Sequence, residues 1–180
     1  MKTQKMKTHW TTAVALLTLL LAVSAHADHA NVGMNMVDDK GVGASIGTIE
    51  FMDTPKGLAI MPDLKGLSAG QHGFHVHENA SCAAKDKDGK PVAGLAAGGH
   101  YDPSNTKLHA GPQGGGHLGD LPLLTVAADG TSKESLTASR LKVSDLQGRS
   151  IMIHEAGDNF SDQPKPLGGG GARVACGVVK

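Results

Sequence analysis

Residues 32–61 read VGMNMVDDKGVGASIGTIEFMDTPKGLAIM, and the way apolar residues fall in this stretch decides the fold. Val32, Met34 and Met36 alternate with small or polar residues. Ile46, Thr48 and Glu50 oppose Gly47, Ile49 and Phe51, and Leu58 to Met61 follow the turn Pro55-Lys56-Gly57. A period of two is the signature of a strand with two unlike faces, whereas a helix would group apolar residues at i, i+3 and i+4. Turn chemistry separates the runs, as at Asp38 to Gly41. Working outward, residues 73–78, 123–127, 134–139, 149–154 and 172–178 supply five more strand-like runs, with Asp129-Gly130 as a further turn. Eight short strands and almost no helical period predict an all-β chain, an antiparallel sandwich or barrel.

Two stretches interrupt that rhythm. Residues 79–121 carry Lys85-Asp86-Lys87-Asp88-Gly89-Lys90-Pro91 and many glycines, and residues 156–171 end in four consecutive glycines. Loops of this length in a compact chain are functional or disordered, not mere connections. The glycines lack the strand, loop and helix context of a phosphate cradle, so that reading is set aside.

The chain has 180 residues with 17 Lys+Arg and 17 Asp+Glu, which argues against a general nucleic-acid binder. No apolar run reaches the roughly 20 residues of a membrane-spanning helix. Lys2, Lys5 and Lys7 precede an apolar run from Ala13 to Val23 and then Ala25-His26-Ala27, the pattern of a secretory signal peptide cleaved after Ala27. That divides the chain into a leader, 1–27, and one domain, 28–180, with no membrane anchor. The mature part keeps 14 basic and 17 acidic residues, a formal charge of 14 − 17 = −3, and eight of the ten histidines. Export makes a Cys82–Cys176 disulfide the expectation over two independent thiols.

The histidines carry the chemistry. His75-Val76-His77 lies in a predicted strand, so both imidazoles project from one face, about 6 to 7 Å apart. By itself H-x-H is weak, but the full spacing is H-x-H-x(22)-H-x(8)-H-x(7)-H-x(2)-D-x(33)-H, through His75, His77, His100, His109, His117, Asp120 and His154. Three His with one Asp suit a closed tetrahedral zinc site, and four imidazoles suit copper. Seven side chains fill eight ligand positions only if one histidine is an imidazolate using both ring nitrogens.

The motifs GFHVHE (73–78), GHYDP (99–103), GHLGD (116–120), IHE (153–155) and GARVACG (171–177) resemble the copper/zinc superoxide dismutases, especially their secreted bacterial branch. The resemblance spans essentially the whole mature chain. It implies an eight-stranded antiparallel Greek-key barrel, of the immunoglobulin-like sandwich type, with one copper and one zinc per subunit held outside it by two long loops. It implies copper on His75, His77, His100 and His154, zinc on His100, His109, His117 and Asp120, and His100 as the bridge. It further implies that Asp158 links a copper histidine to a zinc histidine, that Arg173 sits over copper, and that Cys82 pairs with Cys176. The implied activity is dismutation of superoxide by Cu(II)/Cu(I) cycling, in the periplasm, with zinc structural. A single chain leaves monomer and homodimer both open.

Two departures stand out: the segment between His77 and His100 is longer than in animal cytosolic members, and residues 162–166 lack their acidic-plus-lysine pattern. Lys85, Lys87, Lys90 and Lys165 are therefore the candidates for steering substrate toward the site. His29 and His72 read as exposed or satisfied histidines, and Met34, Met36, Met52, Met61 and Met152 as core filler. A metal carrier on the same scaffold would need no Arg173 or shared imidazole. A zinc hydrolase would need an open zinc position and a general base.

Overall fold

The computed structural model describes residues 28–180, so the leader expected at 1–27 lies outside the described residues. Eleven strands form: β1 (His29–Asp38), β2 (Gly41–Thr54), β3 (Gly57–Leu64), β4 (Gly70–His72), β5 (Phe74–His77), β6 (Lys85–Lys87), β7 (Lys90–Val92), β8 (Leu124–Val126), β9 (Leu136–Ala138), β10 (Ser150–His154) and β11 (Arg173–Val178). Seven make one antiparallel sheet in the order β5-β10-β11-β1-β2-β3-β9, while β4 pairs with β8 and β6 with β7.

The sheet curls until its ends meet. Leu64 and Ser132 exchange backbone hydrogen bonds at 3.1 and 3.0 Å, Ala127 donates to Thr131 at 2.8 Å, and only Gly73 separates β4 from β5. Counting β4 and β5 as one interrupted strand, with the separate β6–β7 hairpin set aside, gives the eight expected. The connections from β3 to β4 and from β9 to β10 skip neighbours in the sheet order, which is the Greek-key arrangement. Closure removes the free edges along which sheets aggregate.

Alternation decides what faces inward. Leu58, Ile60 and Leu64 of β3, Phe74 and Val76 of β5, and Ile151 and Ile153 of β10 fill the barrel. Met34 joins that core and Met36 packs partly against it. Met52 and Met61 remain half-buried, and Met152 lies in a separate cluster with Val37, Cys82, Ala97 and Cys176.

The sequence reading missed a hairpin inside the first long loop. Lys85–Lys87 and Lys90–Val92 pair across Asp88 and Gly89, whose φ values of 54° and 76° are both left-handed. That geometry matches the right-handed twist of the flanking strands, but with all six strand residues exposed there is no apolar alternation to announce it. Cys82 and Cys176 form the expected disulfide, their Cα atoms 5.6 Å apart, tying this loop to β11.

Candidate metal centre

Strand β5 organises the site. Its period of two sends Phe74 and Val76 into the barrel and leaves His75 and His77 on the outer face, fully buried beneath the long loops. On one edge β10 places Met152 opposite His75, and His154 N–H donates to Gly73 O at 2.8 Å. On the other edge the first loop runs alongside, with bridges joining His77 to His100 and His75 to Asp120. Backbone pairing with a single strand thus gathers five of the seven expected side chains.

The remaining geometry resolves into two groups. One nitrogen from each of His75, His77, His100 and His154 lies within 4.8 Å of every other, and the same holds for ligand atoms of His75, His100, His109 and Asp120. His117 is slightly outside the second group, its Nδ1 3.4 Å from Asp120 Oδ1 and its ring centroid 5.4 Å from that of His100. His75 falls in both groups by distance, but its Nε2 is committed to Asp158 Oδ2 at 2.7 Å, so only Nδ1 remains.

Unpartnered nitrogens mark where ions fit. His77 Nδ1 donates to Gly98 O at 3.0 Å and His154 Nδ1 to Gly171 O at 3.3 Å, while His109 Nε2 meets Asp158 Oδ1 at 2.8 Å. The opposite nitrogens, His75 Nδ1, His77 Nε2, His154 Nε2, His109 Nδ1 and His117 Nδ1, are buried without a hydrogen-bond partner. His109 Nδ1 is 3.1 Å from Asp120 Oδ2 but is not aligned to bond it. An orphaned buried polar atom costs about 1–3 kcal/mol. Five such atoms fit cation ligation, with the rings of His75, His77, His109 and His154 each oriented through the other nitrogen.

Asp158 joins the two groups of side chains, one oxygen on His75 and the other on His109. Gly168 makes this contact feasible: a Cβ there would fall 1.8 Å from Asp158 Oδ1, and its φ of +69° is left-handed. Arg173 donates from Nη1 to Gly94 O and from Nη2 to Gly98 O, both at 2.6 Å. Because Gly98 O also receives His77 Nδ1, that carbonyl fixes the guanidinium beside the first group.

The four candidate steering lysines are exposed, three of them on the β6–β7 hairpin. None lines the cavity of about 320 Å³ that opens onto His100 and His117; its cation is Lys107, facing Glu78 and Asp102.

The electrostatics keep most of the imidazoles neutral. Burial, then proximity to His100, lowers His75 to about 3. Burial dominates at His154, which falls to about 4, and pushes His77 and His100 down as well. At His109 burial opposes the charge, but the Asp120 and Asp158 carboxylates outweigh it and raise the group to about 9. Burial also works against those carboxylates, yet their histidine partners hold both well below the usual range.

For His75 and His154 the folded value lies below the unfolded 6.5, so from about pH 6.5 down to 4 the unfolded chain binds protons that the folded one refuses. The metal-free protein should therefore lose stability through that window, with a lower urea midpoint at pH 5 than at pH 7. Contributions from Asp120 and Asp158 are present above about 4 and fade only below it, and that from His109 fades toward pH 9. An unchanged midpoint would show that the buried rings accept protons in the folded state.

Residues 45–179 match the family model described as copper/zinc superoxide dismutase. A copper-zinc superoxide dismutase of Salmonella typhimurium is 54% identical over 169 residues, covering 93% of this chain and 98% of that one. The copper-zinc enzyme of Brucella abortus is 49% identical over 93% of this chain and 97% of its own. The solved Brucella abortus structure superposes with a TM-score of 0.83 at 51% identity, covering 85% of this chain and all of that one. The chain belongs to the copper/zinc superoxide dismutase family. In this superoxide dismutase, the contacts of several neighbours of the two groups were not legible in the motifs. His72 is buried, with Nδ1 2.6 Å from His154 O and Nε2 2.9 Å from Ser68 O. Asp162 accepts the N–H groups of His109 and Leu167, and Glu78 accepts that of Gly99. The bonds of His72 to His154, Asp162 to His109 and Glu78 to Gly99 join residues far apart in the chain, and no local spacing encodes them. His29 is exposed, 4.0 Å from Glu50.

Proposed function

We propose that this superoxide dismutase binds copper through His75, His77, His100 and His154 and zinc through His100, His109, His117 and Asp120, one ion of each per subunit. What carries this division is the set of five buried nitrogens with no partner, each on a ring anchored elsewhere or beside Asp120. His100, with Nδ1 3.0 Å from Asp120 Oδ1 and a place in the first group too, is the one ring whose two nitrogens serve both.

Bound copper supplies a one-electron couple usable in both directions, and zinc, which has none, holds the loop in place. Two superoxide anions and two protons then give dioxygen and hydrogen peroxide. Arg173 docks the anion with donors left over from its two carbonyl bonds, and its half-buried position strengthens that attraction. His100, fixed by Asp120, is placed to hold a proton at Nε2 and pass it to the reduced product. The catalytic groups all come from one subunit, so the chemistry does not depend on the homodimer that the resemblance allows.

We also assign residues 1–27 as the signal peptide and the periplasm as the compartment, so that the enzyme protects the cell envelope. The leader pattern and the Cys82–Cys176 bond support that, and among the described residues no helix is long and apolar enough to cross a membrane. Arg173→Ala tests the assignment of catalysis against metal carriage. Copper and zinc content should stay at one each, while the second-order rate of superoxide consumption falls roughly 10- to 100-fold. Unchanged turnover would contradict the role given to Arg173.

A further inference from the structure

We infer that Arg140 is the positioning residue that holds the zinc-binding loop in shape, an inference that rests on the metal assignment above. His109 and His117 stand at either end of residues 110–116, AGPQGGG, in which four of seven residues are glycine. Such a segment has no large side chain to bury and loses much conformational freedom on ordering. It nonetheless folds back on itself: His117 N–H donates to Leu108 O at 2.9 Å, and a Cβ on Gly116 would lie 2.1 Å from that same oxygen.

The loop's carbonyls converge on one guanidinium. Arg140 donates from Nε to Pro112 O at 3.0 Å, from Nη1 to Gly116 O at 3.3 Å, and from Nη2 to Gly111 O at 3.5 Å and to His117 O. Beside it Ser139 Oγ donates to Gln113 Oε1 at 3.1 Å. Both residues directly follow β9, so the anchor is the barrel itself. His109 has a second tether in Asp162, whereas the carbonyl of His117 is held by Arg140. A planar fork reaches four carbonyls from one side chain, and an ammonium, which concentrates its donors at one point, does not. Arg140 touches no candidate ligand atom, and its effect on the metal passes through the backbone of His117.

The experiment loads wild type, Arg140→Gln and Arg140→Lys with copper and zinc and follows release of each metal to a chromophoric chelator. Both variants should lose zinc about 10- to 100-fold faster while copper release keeps the wild-type rate, because His75, His77 and His154 lie outside the loop. Zinc release at the wild-type rate overturns the inference, as does full rescue by lysine, which would make charge rather than the fork the cause. Equal acceleration of both metals, or variants that fail to fold, would place Arg140's role in the barrel and overturn it too. Wild-type protein that takes up no zinc refutes the metal assignment itself, and the inference with it.

Discussion

Replacing His100 with alanine is expected to cost this enzyme at least about 100-fold in superoxide consumption and to release zinc from the purified protein. The effect is large because, in the proposed assignment, one ring serves both groups: its Nδ1 is 3.0 Å from Asp120, and its ring centroid lies 3.8 Å from that of His75 and 5.0 Å from that of His77. Removing it leaves three imidazoles on one side and two histidines with an aspartate on the other, so neither set closes. His109→Ala is the contrasting case, since it removes one member of the second group only. It should lose zinc and keep copper. Metal analysis beside a superoxide-consumption assay separates the two, and a His100→Ala protein that retains both metals and full rate would remove the shared-ligand assignment.

Breaking the disulfide with Cys82→Ser and Cys176→Ser together should destabilise the fold by about 4.7 kcal/mol in the chain-entropy account and lower Tm by roughly 10–20 °C. The bond spans 94 residues, most of both metal-bearing loops among them. It should also slow turnover, because the tethered segment carries Gly94 O and Gly98 O, the two acceptors that aim Arg173. Calorimetry of the double variant, with mass analysis before and after reduction of the native protein, checks both parts. A Tm within two or three degrees of native would mean that packing of Met152 and Ala97 around the cysteines, not the covalent link, holds the loop.

Much of the site was legible because it is written with period two or as motifs. Phe74-His75-Val76-His77 states both faces of its strand in four letters, and the spacing through His154 singles out the histidines worth examining. The β6–β7 hairpin was not legible, for it buries nothing. Nor was the choice of lysine: those in the hairpin are exposed, while Lys107, nearer the cavity, sits in a turn with φ of 55° that no charge pattern marks.

The sequence by itself determined an all-β antiparallel sandwich or barrel, the seven candidate metal-binding side chains and the cysteine pair, since strand alternation and residue identity are local properties that survive in a linear reading. Only the tertiary structure decided which nitrogen of each ring is free, that Asp158 spans His75 and His109, that Gly98 O serves both His77 and Arg173, and that Arg140 fills the glycine loop. The hydrogen bonds behind those facts join residues 17 or more positions apart. Chain closure brings them together, and their direction is set by where the barrel leaves the two loops to meet.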